Sequence, residues 1–125
     1  MIETLTQRAL ADFNAGDAFF EHLADGVVVE FPYGPSLGLP ARVEGIDGVR
    51  AVLGAAQASG LTISEPTVSA IGGGRVLAEY TGTYHGPGGA RADVPLIALI
   101  EHEGDAITLI GEYWDTLAIA RLNQS

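Results

Sequence analysis

The residues best suited to chemistry lie near the end of the chain, in the run Ile107-Thr108-Leu109-Ile110-Gly111-Glu112-Tyr113-Trp114-Asp115. This run is apolar and closes on two acids, a Tyr and the only Trp. A strand points alternate side chains to opposite faces, so Ile110, Glu112 and Trp114 share one face, and Gly111, Tyr113 and Asp115 share the other. With the first face turned into a core, Glu112 is a carboxyl among apolar and aromatic neighbours. Burial there raises its pKa towards neutrality, where a carboxyl serves as general acid or base. The competing reading is a strand-end Glu in solvent, or one paired to an Arg such as Arg50.

Further candidates are aromatic. Val76, Ala78, Tyr80, Gly82 and Tyr84 share one face of another strand. If that face points inward, the Tyr80 phenol can donate to a developing oxyanion or relay a proton with Glu112, and Tyr84 lies along the same wall as a substrate contact. Gly82 leaves space beside Tyr80. The plainer alternative for Tyr80 is a core aromatic. Phe31 and Tyr33 flank Pro32, where a strand enters a long loop; with Trp114 they form either a pocket mouth or a simple aromatic cluster. Glu30 is a second acid that a bulge near Pro32 would turn inward. Asp115 is read as a helix cap rather than a catalyst. His85, in a Gly- and Pro-rich turn, is either a rim residue or an exposed one, and His22 and His102 are expected on the surface.

Other chemistries find little support. The His residues and acids show no metal-ligand spacing, Gly72-Gly73-Gly74 lacks the Lys and Ser/Thr of a phosphate loop, and no Ser sits in an elbow motif. There is no Cys, which excludes disulfides and thiol chemistry. All six basic residues are Arg, so a Schiff-base Lys is excluded too. No cofactor and no metal are expected. A net charge of −10 repels phosphate backbones and anionic lipids, so neither nucleic acid nor membrane is an expected partner. No apolar run is long enough to span a bilayer. Met1-Ile2-Glu3-Thr4 does not open a leader peptide, and the expected location is cytoplasmic.

The elements that must position these residues follow from periodicity. The length of 125 residues and a hydrophobic fraction of 47% predict one domain over 1–125 with a real core. Leu5, Ala9, Leu10 and Phe13 predict a helix from Glu3 to Asn14, with Thr4 to Gln7 as a capping box and Gly16 as its stop. Asp17 is expected to cap a short second helix with Phe19, Phe20 and Leu23. A strand follows over 26–31, then a loop from Tyr33 to Glu44, long enough to serve as a lid. A third helix covers Ile46 to Ala58, with Ile46, Val49, Val52, Leu53 and Ala56 as its apolar stripe. Four strands follow, at 61–71, 75–84, 93–102 and 106–115, joined by hairpin turns and therefore antiparallel. Thr116 to Leu122 closes the chain as a helix. Val94 to Ile100 is apolar at nearly every position, so both its faces should be covered, one by helices and the other by a second subunit in a dimer built on the sheet.

Asn14-Ala15-Gly16-Asp17, Glu30-Phe31-Pro32-Tyr33, Glu44-Gly45 and Gly111-Glu112-Tyr113-Trp114-Asp115, in this order of elements, resemble the SnoaL-like branch of the nuclear transport factor two-like (ketosteroid isomerase-like) superfamily. The resemblance covers essentially the whole chain. It implies an α+β fold: a cone-shaped curved antiparallel sheet packed against three helices and enclosing one pocket. It also turns the Tyr80 face inward. The fold hosts isomerases, dehydratases, cyclases, epoxide hydrolases and non-enzymes, so it does not fix an activity. The positions that carry ketosteroid isomerase chemistry align with Ala9, Phe31 and Ile97, all apolar. Those of limonene-type epoxide hydrolases align with Tyr80, Gly82 and Glu112, where only the acid matches. Glu112 also matches the catalytic Glu of phenazine-biosynthesis members, with Gly111 in place of their Arg and Val52 near their assisting His. Asp115 aligns loosely with the late Asp of SnoaL-type cyclases.

The expected activity is that of a cofactor-free enzyme of isomerase, cyclase, dehydratase or epoxide hydrolase type. Its substrate is a small apolar organic molecule, Glu112 and Tyr80 are its catalytic residues, and Tyr33, Phe31, Trp114 and Tyr84 shape its pocket. The alternative is a non-catalytic module for hydrophobic-ligand binding or dimerisation.

Overall fold

A computed structural model describes residues 1–124. Its elements run α1 (Ile2–Phe13), a 3₁₀ segment (Gly16–His22), β1 (Leu23–Glu30), a second 3₁₀ turn (Gly34–Leu37), β2 (Arg42–Glu44), α2 (Ile46–Ala58), β3 (Thr62–Ile63), β4 (Thr67–Gly72), β5 (Arg75–His85), β6 (Arg91–Glu103), β7 (Ala106–Trp114) and α3 (Thr116–Asn123). The strands form one seven-stranded sheet in the order β2-β1-β7-β6-β5-β3, with β4 also paired to β5. Every pairing is antiparallel except β1 with β7, which is parallel. The sheet is curved and unclosed, and the fold class is α+β.

The three long strands, β5 to β7, form the wall that matters most. Their register stacks inward side chains in rows: Val76, Ile100 and Ile110; Ala78, Ala98 and Glu112; Tyr80, Leu96 and Trp114. Nearly all of these are buried. Strict alternation puts Leu77, Glu79, Pro95, Ile97, Leu99 and Tyr113 on the opposite face. The chain itself covers only one face of β6: Ile97 is 44% exposed and Pro95 is exposed.

The helices are tied to the sheet by polar clamps at chain reversals. The Asn14 amide both donates to the Ile63 carbonyl (2.8 Å) and accepts from the Ile63 N–H (2.9 Å), as a neighbouring strand would. Gln57 on α2 donates to the carbonyl of Phe13, an orphan acceptor in the last turn of α1, and to that of Gly16. Below them Phe13, Phe19 and Phe20 stack edge to face.

Several local expectations fail for identifiable reasons. α1 begins one residue earlier than expected, and no side chain caps it, so Thr4 and Gln7 form no capping box. Asp17 caps nothing either: the segment it opens is 3₁₀, and Asp17 pairs with Arg50 instead. Pro66 cannot donate a ladder hydrogen bond, and the single strand expected over 61–71 divides there into β3 and β4. The long loop after Pro32 holds a 3₁₀ turn and the short edge strand β2.

His102, expected on the surface, is half-buried against α1. Its Nε2 lies 2.7 Å from the Thr6 hydroxyl, which itself donates to the Ile2 carbonyl. With the hydroxyl proton so committed, Nε2–H is the donor in this contact. Nδ1 is buried without a partner, and burial pushes the imidazole pKa below its ordinary value. Thr6 is fully buried. Thr6→Val should therefore strand the imidazole N–H and lower stability by about 1–3 kcal/mol, read as a fall in the urea midpoint at unchanged m-value; no change would mean that water replaces the hydroxyl.

Candidate functional site

The inward face of β7 meets α2, α3 and the loop after β1 around a chamber of about 330 Å³. Phe31, Trp114, Tyr84 and Glu112 line it from the sheet side. Val52, Leu53, Ala55 and Ala56 line it from α2, Ile119 from α3, and Leu37 and Leu39 from the loop. A second, smaller void of about 30 Å³ lies deeper, bounded by Tyr80, Leu96, Ile110 and the aromatic residues of α1 and the 3₁₀ segment. Leu53, Leu61, Tyr84 and Glu112 border both spaces. Glu112 thus stands at the junction between an outer chamber and an inner one.

Local sequence explains this position. In the inward row of Glu112 the neighbours are Ala78 and Ala98, two methyl groups that leave the carboxyl arm unobstructed. In the next row Trp114 is bulky, and its ring meets Phe31 edge to face at 5.4 Å. Phe31 comes inward because β1 keeps its alternation through Val27 and Val29. The β1 irregularity lies between Leu23 and Val28, not near Pro32, so Glu30 stays on the opposite face.

The electrostatics follow from the lining. Burial pushes the Glu112 carboxyl up to about 7. Among the described residues, its side chain makes no ion pair and no cation lines either space. Arg50, a possible partner on sequence grounds, pairs with Asp17 at 3.6 Å and lies over the Phe20 ring at 4.7 Å. Burial, and then the Glu112 charge, raise the pKa of both Tyr80 and Tyr84. Both phenols therefore keep their protons and remain donors.

The remaining sequence candidates lie elsewhere. Tyr33 does not reach the chamber: it is 54% exposed and packs on Tyr113 at 5.8 Å on the outer side of the sheet. Tyr80 borders the inner void but not the outer chamber. The Gly82 notch is not open space, since a Cβ there would come within 2.8 Å of both Leu96 and the Tyr84 ring; it seats Tyr84. His85 is exposed, with its ring against Gly60. Asp115 caps α3, accepting from the N–H groups of Leu117 and Ala118. Among the described residues, no group of three or more His, Cys, Asp or Glu could hold a metal, and no helix is long and apolar enough to cross a membrane.

Sequence reasoning passed over Leu37, Leu39, Ala55, Leu61 and Ile119 as lining. Leu37 and Leu39 lie in a stretch without periodicity. Val52, Leu53 and Ala56 carried a signal, being on the apolar stripe of α2.

Residues 6–110 match the SnoaL-like domain family. The chain belongs to that family, within the nuclear transport factor two-like superfamily. Its fold is shared with solved structures. A provisionally named isomerase from Bacillus subtilis is 24% identical, with a TM-score of 0.83 over 95% of this chain and 89% of that one. A provisionally named polyketide cyclase from Xanthomonas campestris pv. campestris is 26% identical, with a TM-score of 0.80 over 96% and 94%. TerC, crystallised with polyporic acid, is 20% identical, with a TM-score of 0.79 over 94% and 97%. No curated protein matches the chain.

The raised pKa of Glu112 has a consequence for stability. The folded protein holds this proton more tightly than the unfolded chain, whose carboxyl titrates near 4.5. Stability therefore falls as pH rises from about 4.5 to about 7, and the full penalty, up to about 3 kcal/mol, persists above 7. Glu112→Gln should be more stable than wild type at pH 8, with the gap closing near pH 4.5. Paired thermal and urea denaturation at both pH values measures this, and a constant difference would place the carboxyl in water.

Proposed function

We propose that this protein is a cofactor-free enzyme in which Glu112 moves a proton to or from a small, mostly apolar molecule held in the outer chamber. The observation that carries this reading is a single desolvated carboxyl at the boundary of an otherwise apolar cavity. A pKa near 7 lets one group accept a proton and return it at the same pH. Tyr84 shares the chamber wall with Glu112 and is the phenol placed to donate to an oxygen of the bound molecule. Tyr80 stands behind it and acts on the carboxyl from the inner void. Isomerisation, cyclisation, dehydration and epoxide opening all need such a proton transfer, and the names of the fold relatives favour the first two. A cavity of about 330 Å³ falls at the lower end of small-molecule sites.

The test has two parts. Carboxyl-labelled NMR titration, with Glu112→Gln to assign the signal, should give a midpoint near 7; a midpoint near 4.5 would remove Glu112 as the acid or base. On any substrate found by screening, Glu112→Gln should lower kcat/KM about 10²- to 10⁴-fold, with a smaller loss in Tyr84→Phe. A binding module would instead retain its ligand and show no turnover in either protein.

The outer face of the sheet supports a second proposal, a homodimer. Ile97 and Tyr113 are register partners there, 44% and 39% exposed, and Leu77 and Leu99 adjoin them. A second copy would cover this apolar strip. Sedimentation should show a dimer at micromolar concentration, and Ile97→Arg should shift it to monomer with the fold intact; a wild-type monomer would sink the idea.

A further inference from the structure

The charge inventory of the chamber points to a class of ligand. Glu112 is the only ionised side chain in its lining. No Arg or His lines it, and several are engaged elsewhere: Arg42 pairs with Glu44, Arg50 with Asp17, Arg91 with Asp93 and His22 with Asp12. Arg8 lines a separate groove beside α1. An anionic ligand would thus meet a carboxylate and no counter-charge. TerC was crystallised with an acid, but nothing in this lining would hold one. A cationic ligand meets the opposite situation. It neutralises a desolvated carboxylate, lies among the rings of Phe31, Trp114 and Tyr84, and is drawn in by a net charge of −10.

Counting hydrogen bonds narrows the class. The polar groups facing the chamber are the Glu112 carboxylate and the Tyr84 hydroxyl; the buried Trp114 N–H is a donor and accepts nothing. A primary ammonium brings three N–H groups and needs both Glu112 oxygens and the Tyr84 hydroxyl together to satisfy them; any left against hydrocarbon carries a cost. A quaternary ammonium brings none and forfeits the charge-assisted bond. A tertiary ammonium brings one.

We propose that the outer chamber is a site for a small tertiary amine, whose single N–H donates to Glu112 while its hydrocarbon substituents fill the apolar walls. This rests on the chamber being a ligand site, not on proton transfer by Glu112. No other titratable group in the lining complicates its pH dependence. β5 contributes Tyr80 and Tyr84, both held neutral, and α2, α3 and the loop contribute only apolar side chains. Binding should tighten as pH rises through the titration of Glu112, as long as the amine stays protonated.

Calorimetry on the full chain with three matched probes tests this: N,N-dimethylbenzylamine, the neutral N,N-dimethylbenzamide and the anionic phenylacetate. At pH 8 the amine should bind at least tenfold more tightly than the amide, with phenylacetate the weakest. The preference should collapse at pH 5.5. It should also collapse at pH 8 in Glu112→Gln, checked for folding by thermal denaturation, while the amide still binds. Equal binding of amine and amide, or a preference that survives Glu112→Gln, would overturn the proposal and leave the chamber a ligand site of another class. Failure of all three probes to bind would overturn the proposal together with the ligand-site reading.

Discussion

A carboxyl set among apolar side chains, with no cation beside it among the described residues, is the constraint around which this structure turns. Such a group is expensive, and it stays in place only if the walls around it are fixed. Here the walls are fixed by register. Glu112 lies in one row with Ala78 and Ala98, and that row is set by the long β5–β6 and β6–β7 ladders. A slip of one residue in the β6–β7 ladder would turn Glu112 outward and bring Tyr113 in. The apolar residues on the same face of β7 forbid that slip, since Ile110 and Trp114 would leave the core with Glu112. Hydrophobic alternation thus supplies the energy that keeps an unfavourable charge buried.

The other half of the enclosure comes from helices held on the curved sheet by apolar contact and by polar clamps. α1 crosses the sheet near β3 and β4, and α2 packs over β1. Asn14 and Gln57 hold them at the chain reversals, where backbone groups would otherwise lack partners. α3 is started by Asp115, one residue after Trp114. This cap lets the chain leave the sheet immediately after the site and return Ile119 to the chamber wall. Asp115, read from the sequence as a helix cap, has that structural role here.

Most of this architecture was legible because it rests on periodicity. The alternation of β5 to β7 and the stripe of α2 are long, regular signals, and the segment Ile46–Ala58 coincides with the observed helix. The facing of Glu112, Trp114 and Phe31 followed from the same alternation. Failures came where a contact distant in sequence decided the outcome. Tyr33 turned outward because it found the Tyr113 ring across the sheet edge. His102 was drawn under α1 by Thr6, ninety-six positions away. Gly82 suggested a void, but the ring of Tyr84, two residues on along the same face, fills it. The division of the space into two chambers had no local signature at all, since its septum joins α2, β5, β7 and Leu61.

The fold fixes where a cavity lies, and the few polar side chains in the lining decide what the cavity can hold. In this lining the polar groups are one carboxyl and one phenol, with a second phenol behind them. There is no base pair of carboxylates, no cation for an anionic group and no imidazole. A site so sparsely equipped cannot discriminate by a network of hydrogen bonds. On the proposed ligand-site reading, its selectivity comes from shape, from the exclusion of negative charge and from the protonation state of Glu112. Each of these depends on the same feature, the apolar surroundings of a carboxyl with no cation beside it among the described residues.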